Sequence, residues 1–182
     1  DTLAAGRPKF MYCAAPCTDP TGFQTMSPNP YIENTNVLAA QVSSGMSWCQ
    51  ASSTSYYPAV TYSVTGITRF AVCRNPLVSC LNSANWQTQT VVATASLSNK
   101  LLIDPTITGD IPNVTALAGG GITTYRMGAT ACTAAPAAFT AGAVVGGATS
   151  GNLWMSLLKD PSGIFHLIAN EAAASIRYYN ST

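Results

Sequence analysis

The chain contains a single histidine, His166, as a candidate base for nucleophilic or acid–base chemistry. A serine hydrolase needs a histidine within hydrogen-bond reach of its nucleophile. His166 falls in a predicted strand beside a tight turn, with Ile164 and Ile168 on its own face. This setting favours a partly buried strand residue that makes one hydrogen bond. Residues 45–49, Gly-Met-Ser-Trp-Cys, begin like a nucleophile elbow but lack its second glycine. We therefore predict no catalytic residues.

The carboxylates are also poorly spaced for chemistry that needs two of them roughly 5–10 Å apart. Asp104 and Asp110 are the only near neighbours among the seven acids, and each stands next to a proline or one residue from it. This context is typical of turns, and calcium sites commonly collect more carboxylates than these two. Glycines 119–121 lack the Lys-[Ser/Thr] of a phosphate-binding loop. We expect no metal and no cofactor, and we do not expect an enzyme.

Six cysteines predict disulfides rather than a metal site. There is no C-x-x-C motif and only one histidine, so a structural zinc site is not expected. An even cysteine count in a Ser- and Thr-rich chain indicates up to three disulfides and an oxidising compartment. The sequence leaves the pairing open, because six cysteines allow fifteen pairings. The two closest pairs would close short loops and the remaining two cysteines a long one, which gives Cys13–Cys17, Cys73–Cys80 and Cys49–Cys132.

Charged residues make up only 8% of the chain, against roughly a quarter in an ordinary soluble domain. The eight cations are scattered and the net charge is +1, so the basic stripe of a nucleic-acid-binding protein is missing. The most apolar stretch, residues 134–148, contains Pro136 and is too short to span a bilayer. Neutral polar residues must cover the surface, which can then be buried against another copy at little desolvation cost.

Alternation of apolar and polar residues predicts a mainly β fold. The strongest signal is a hairpin near the C-terminus, where Pro161 and Gly163 suit a type I turn followed by a left-handed residue. A second hairpin is predicted around Thr65-Gly66. The predicted strands cover residues 60–64, 67–72, 89–97, 121–127, 151–158 and 164–168.

Two segments favour helix. Residues 35–44 have capping side chains at their start and Gly45 at their end, and residues 170–175 are predicted to form one or two helical turns. In contrast, five prolines in the first thirty residues exclude a continuous helix or a central strand there.

We predict one domain over residues 1–182. Its first part, residues 1–35, is an irregular, proline-rich N-terminal arm. The core, residues 36–182, is expected to be a disulfide-stapled, β-sandwich-like unit with one short helix.

Aromatic residues are the candidates for ligand binding, because their flat apolar faces can stack on sugar rings. Trp86, in a run of Asn and Ser, is expected to be the most exposed ring, and Tyr56 and Tyr57 follow. The competing interpretation is that each large aromatic anchors the core or a subunit contact, as expected for Trp154. Glycosylation is predicted to be possible at the sequons of Asn113 and Asn180.

These observations predict an extracellular structural subunit that self-assembles into a filament, layer or shell. Its partners would be copies of itself, with the N-terminal arm donated to a neighbour. The start at Asp1, without an apolar leader, is expected of a processed secreted product. The alternative is a secreted adhesin or glycan-binding module that acts as a monomer and contacts glycans or a host surface.

Overall fold

The computed structural model describes most of the chain and is mainly β, as predicted. The described residues are 7–13, 17, 19, 22–33, 44–50, 54–64, 66–94, 98–104, 111–118, 121–128, 136–147, 155–162, 164–172 and 175–180. Within them, no helix has the length and apolar character needed to cross a membrane.

Thirteen antiparallel strands form four sheets among these residues. They are β1 (Met11–Tyr12), β2 (Gln24–Thr25), β3 (Gly45–Gln50), β4 (Tyr56–Val64), β5 (Ile67–Cys73), β6 (Trp86–Val92), β7 (Ser98–Asp104), β8 (Ile111–Ala118), β9 (Gly121–Met127), β10 (Phe139–Gly147), β11 (Met155–Lys159), β12 (Phe165–Ala172) and β13 (Ser175–Asn180). Two 3₁₀ turns, Leu77–Leu81 and Ser83–Asn85, lie between β5 and β6.

Each larger sheet is built from strands that are consecutive in the chain. The N-terminal sheet has the order β3-β4-β5-β6, the middle sheet β10-β9-β8-β7, and the C-terminal sheet β11-β12-β13. The arm contributes the small sheet β1-β2. Consecutive order is expected because sequential strands usually pair with each other.

The N-terminal and middle sheets enclose the main core. Strands alternate their side chains between two faces, and Phe70 and Val72 of β5 point toward Val114 and Ala116 of β8. Phe139 of β10 packs edge-on to Phe70, with ring centroids 5.6 Å apart. These two sheets therefore form the predicted sandwich.

The N-terminal arm covers part of the outer face of the N-terminal sheet. Phe10, Met26 and Ile32 of the arm are buried in one cluster with Tyr62 and Trp86 of the sheet. The Phe10 and Trp86 rings meet edge-on at 5.3 Å. The described part of the arm is irregular apart from two short strands, and it is held by packing on its own chain.

A polar contact fixes the end of the arm to the same face. The hydroxyl of Tyr62 donates to Glu33 Oε2 at 2.8 Å, and the Arg69 guanidinium lies 3.4 Å from Glu33 Oε1. Burial raises the pKa of the Tyr62 hydroxyl, and the charge of Glu33 and its hydrogen bond raise it further. The phenol therefore stays protonated and keeps donating to the carboxylate.

Two of the three disulfides suggested by spacing are confirmed. Cys13 bonds Cys17 and Cys73 bonds Cys80. Cys49 is buried and disulfide-bonded as well, while Cys132 lies outside the described residues.

Both predicted hairpins are confirmed. β4 and β5 are joined through Gly66, whose φ is +73°, a conformation that suits glycine. β11 and β12 pair around a turn closed by a hydrogen bond from Asp160 N–H to Ile164 O.

Other sequence predictions met different outcomes. The helical turn at 170–175 is wrong, because β12 continues to Ala172 and β13 begins at Ser175. The strand predicted over residues 89–97 instead runs from Trp86 to Val92. The helix predicted at 35–44 lies outside the described residues except for Ser44, and so does Trp154.

The three larger sheets meet at edge strands β3, β7 and β11, because β7 lies beside both of the others. Gly45 permits a close approach of β3 to β7. A Cβ at this position would lie 2.5 Å from Leu101 N, so any larger residue would push β3 away from β7.

Candidate functional site

The outer face of the C-terminal sheet is an exposed apolar surface. Its inner face packs Met155, Leu167 and Ala169 against Ile122 of the middle sheet. The register pairs Ile168 with Tyr178, so these side chains and their neighbours two residues away point outward. This outer face carries four large exposed side chains: Leu158 (52% exposed), Ile168 (38%), Ile176 (75%) and Tyr178 (58%).

Strand β13 forms the edge of this sheet. It pairs with β12, and in the described part of the chain no strand pairs with its other side. Its sequence, Ser-Ile-Arg-Tyr-Tyr-Asn, contains one charge and no proline. Charges, prolines and bulges are the usual protection of an edge strand against pairing with another chain. The β12–β13 pairing has a single register shift, between Asn170 and Ala172 at the start of β13, so the rest of β13 is weakly protected.

The edge strand of the middle sheet, β10, is different. Its pairing with β9 is interrupted by two register shifts, between Ala141 and Val144 and between Val144 and Gly146. Such irregularities twist an edge away from regular pairing. Val144 is 67% exposed on this strand, which makes it a useful control for Ile176.

His166 lies on the outer face of the C-terminal sheet, between a carboxylate and a phenol. Its Nε2 is 3.0 Å from Asp160 Oδ2, and its Nδ1 is 2.6 Å from the Tyr178 hydroxyl. A carboxylate only accepts hydrogen bonds, so in the neutral imidazole Nε2–H donates to Asp160 and Nδ1 accepts from Tyr178. His166 is thus partly buried, as predicted, but it makes two hydrogen bonds rather than one.

This relay connects the turn, β12 and β13. The hydrogen bond from His166 lowers the pKa of the Asp160 carboxyl, and the backbone N–H of Ile164 lowers it further. An Asp–His–Tyr chain can move a proton, yet Tyr178 stands on an open sheet face rather than in a cleft that excludes water. We interpret the relay as a clamp that fixes β13 and its turn.

A cleft of about 300 Å³ lies where the three larger sheets meet. Among the described residues, its lining includes Lys100 and two serines but neither histidine nor carboxylate, so these residues offer no acid–base pair. It is lined by Ser44, Gly45, Met46, Lys100, Leu101, Met155, Ser156 and Leu157.

The prediction that Trp86 is an exposed ring is wrong. Trp86 is 7% exposed, and its Nε1–H donates to Cys80 O at 2.8 Å. The Cys73–Cys80 disulfide and the two 3₁₀ turns bring it opposite Cys73 at the start of β6. Its polar neighbours in the sequence belong to those turns, which is why they gave a misleading signal.

The other two aromatic residues predicted to bind a ligand, Tyr56 and Tyr57, point to opposite faces of the sheet because side chains alternate along a strand. Tyr57 is partly buried against the main core, whereas Tyr56 is 47% exposed. Trp48 was not singled out from the sequence but is 46% exposed on the neighbouring strand. The missed signal was Cys49: once this cysteine points into the core, Trp48 must point outward.

The two sequon asparagines occupy different environments. Asn113 is partly buried within β8, paired on both sides, whereas Asn180 is exposed at the end of β13. Asp104 ends β7, and Asp110 is not among the described residues. The described residues contain no cluster of three His, Cys, Asp or Glu side chains that could hold a metal ion.

Comparison with known proteins assigns no family. The chain matches no protein-family model, and no curated protein and no solved structure matches it significantly. Function is therefore inferred from the chain's own residues.

Proposed function

We propose that this protein is an extracellular structural subunit that self-assembles into a filament, layer or shell through its C-terminal sheet. The observation that carries the proposal is the combination, on one sheet, of an exposed apolar face with an edge strand whose outer side pairs with no described strand. Ile176 and Tyr178 belong to both, because they lie on β13 and point to the outer face.

The outer side of β13 fixes the direction in which copies are added, and burial of the apolar side chains supplies the favourable free energy of association. The N–H and C=O groups on the outer side of β13 can pair with a strand of the next copy and continue the sheet. Burying the apolar side chains removes their surface from water. If β13 pairs with a different strand of the neighbour, the contact is heterologous and propagates; pairing of β13 with another β13 would give a closed dimer.

The low charge supports the same proposal. With 8% charged residues, few ionic groups must be desolvated when copies pack together. The disulfides are stable in oxidising compartments, which is compatible with an extracellular location.

The interface proposed here differs from the donated arm expected from the sequence. In the structure, arm residues Phe10, Met26 and Ile32 are buried on their own chain. A donated arm would have to leave this cluster, whereas the outer side of β13 pairs with no strand in the described part of the chain.

A matched pair of edge-strand variants tests the proposal. In Ile176→Lys, a charge replaces an exposed side chain of β13; Val144→Lys makes the same change on β10. Negative-stain electron microscopy of the native, unreduced protein is expected to reveal regular filaments, sheets or shells. We expect Ile176→Lys to abolish them and Val144→Lys to leave them intact.

Two results would contradict the proposal. Dispersed particles in the native sample with the mass of one chain, 18.9 kDa, would favour the monomeric binding module. Assembly that survives Ile176→Lys but is lost in Val144→Lys would place the interface on the middle sheet.

A further inference from the structure

Met46, Trp48 and Tyr56 form an exposed aromatic platform on the outer face of the N-terminal sheet, beside the area covered by the arm. Their exposed fractions are 53%, 46% and 47%. The register pairs Trp48 with Pro58 and Gln50 with Tyr56, so Trp48 and Tyr56 are diagonal neighbours on adjacent strands. Diagonal neighbours are roughly 7–8 Å apart, which aromatic side chains can span.

The polar groups of both rings are available. Neither the Trp48 indole N–H nor the Tyr56 hydroxyl has a hydrogen-bond partner among the residues that the structure describes, and neither ring stacks on another aromatic there. In contrast, the Trp86 N–H is used within the core. The platform therefore offers two aromatic faces and two hydrogen-bonding groups to a ligand.

The platform stands on a rigid base. Cys49, next to Trp48, is fully buried and disulfide-bonded, and Pro58, opposite Trp48, is fully buried. A ring held on a strand between two fixed neighbours loses little conformational freedom on binding, which favours affinity.

The size and charge of the platform determine which kind of ligand can bind to it. Aromatic side chains present roughly 150–250 Å² each, so the half-exposed rings of Trp48 and Tyr56 leave roughly 200 Å² open, far below the ~800 Å² per partner of a stable protein interface. Strands β3 and β4, which carry the platform, contain no charged residue; Lys100, which lines the cleft together with Met46, belongs to β7. A small, neutral ligand with flat apolar faces and hydroxyl groups fits both properties.

We propose that the aromatic platform binds a neutral, β-linked pyranose chain. In such sugars the ring substituents are mostly equatorial, which leaves apolar C–H faces for stacking and hydroxyls at the rim. Trp48 stacks on one sugar ring, and Tyr56 stacks on a neighbouring ring. This site is independent of the assembly surface, which lies on the C-terminal sheet.

Titration with cellohexaose, N-acetylglucosamine hexamer and maltohexaose tests the proposal, with binding followed by tryptophan fluorescence and by calorimetry. We expect one of the two β-linked hexamers to bind, and α-linked maltohexaose to bind at least tenfold more weakly. Trp48→Ala and Tyr56→Ala are each expected to raise Kd at least tenfold. Phe23→Ala, which removes an exposed ring from the arm, is the matched control and should leave Kd unchanged.

Trp48→Phe keeps an aromatic face and is expected to retain part of the affinity, which separates loss of stacking from loss of folding. The proposal is overturned if neither β-linked hexamer binds, or if Trp48→Ala binds as tightly as the native protein. Microscopy of Trp48→Ala separates the two proposals, because assembly is expected to persist when sugar binding is lost.

Discussion

The outer faces of the N-terminal and C-terminal sheets carry similar apolar side chains but have different surroundings. On the N-terminal sheet, Tyr62 and Trp86 are buried beneath the arm. On the C-terminal sheet, Ile176 and Tyr178 stay exposed, and no described segment covers them. The part of the first face beneath the arm belongs to the core of one chain, and the second face is the surface that we propose for contact between copies.

Polar contacts follow the same division. On the covered face, Glu33 is held by Tyr62 and Arg69 in partly buried surroundings. On the open face, His166 is held by Asp160 and Tyr178 near solvent. A hydrogen bond to a charged group is stronger where water is excluded. Substitutions that break the covered contact should therefore lower the stability of the monomer more than those that break the open contact.

The largest effect is expected for Phe10→Ala. This change removes a buried ring that packs edge-on to Trp86, and truncation of a buried phenylalanine costs about 3 kcal/mol or more. Urea denaturation followed by tryptophan fluorescence measures the loss. Phe23→Ala, at an exposed arm residue, is the control and should change the free energy of unfolding by less than about 0.5 kcal/mol. Equal effects of the two variants would mean that the arm does not cover the sheet in solution.

A smaller loss, about 1.5 kcal/mol, is expected for Tyr62→Phe, because it deletes a hydrogen bond to the Glu33 carboxylate. The control is Tyr56→Phe, at an exposed position.

The raised pKa of Tyr62 also predicts a pH dependence. The contribution of the Tyr62 hydroxyl to the free energy of unfolding is complete at a pH below the ordinary tyrosine pKa of 10.0. The contribution falls as the pH rises above this value, because only the unfolded state then ionises. A native protein whose stability above this pH declines no more than that of Tyr62→Phe would contradict this.

Asp160→Asn is expected to produce a modest fall in the thermal unfolding midpoint. Because the pKa of Asp160 is lowered in the folded state, its carboxylate stabilises the fold at a pH above the ordinary aspartate pKa of 3.8. This stabilisation is lost as the pH falls below that value. Native protein and variant should therefore differ at neutral pH and converge under strong acid. A difference that stays constant down to low pH would show that the His166 contact does not favour the ionised carboxylate.

The smallest change in monomer stability is expected for Ile176→Lys, within about 0.5 kcal/mol, because exposed surface substitutions rarely exceed this. Denaturation under conditions where the protein is dispersed measures it. A loss as large as that of Phe10→Ala would mean that Ile176 belongs to the fold of the monomer. The distinction between the covered and open faces would then fail.

Local sequence patterns predicted the β content and both hairpins because their causes are local. Gly66 supplies a positive φ between two alternating strands, and Pro161 lies in the turn of the second hairpin. The helical turn at 170–175 was wrong because its Ala-rich sequence favours helix on its own, whereas pairing between β12 and β13 imposes strand.

The candidate sites were harder to predict, since exposure depends on distant segments. Trp86 has polar neighbours in the sequence but is buried by Phe10 and fixed by Cys80. Trp48 follows the alternation set by its buried neighbour Cys49 and therefore points outward. Trp86 could not be assigned before the arm was placed, and Trp48 could not be assigned before the core-facing side of β3 was known.

The sequence by itself determined that this protein is β-rich, sparingly charged and stapled by disulfides, because composition, alternation and turn residues act over a few positions. Only the tertiary structure decided which apolar face is covered. The arm reaches the outer face of the N-terminal sheet, while Ile176 and Tyr178 on the C-terminal sheet remain open. Burial depends on which distant surfaces meet, and no local pattern contains that information.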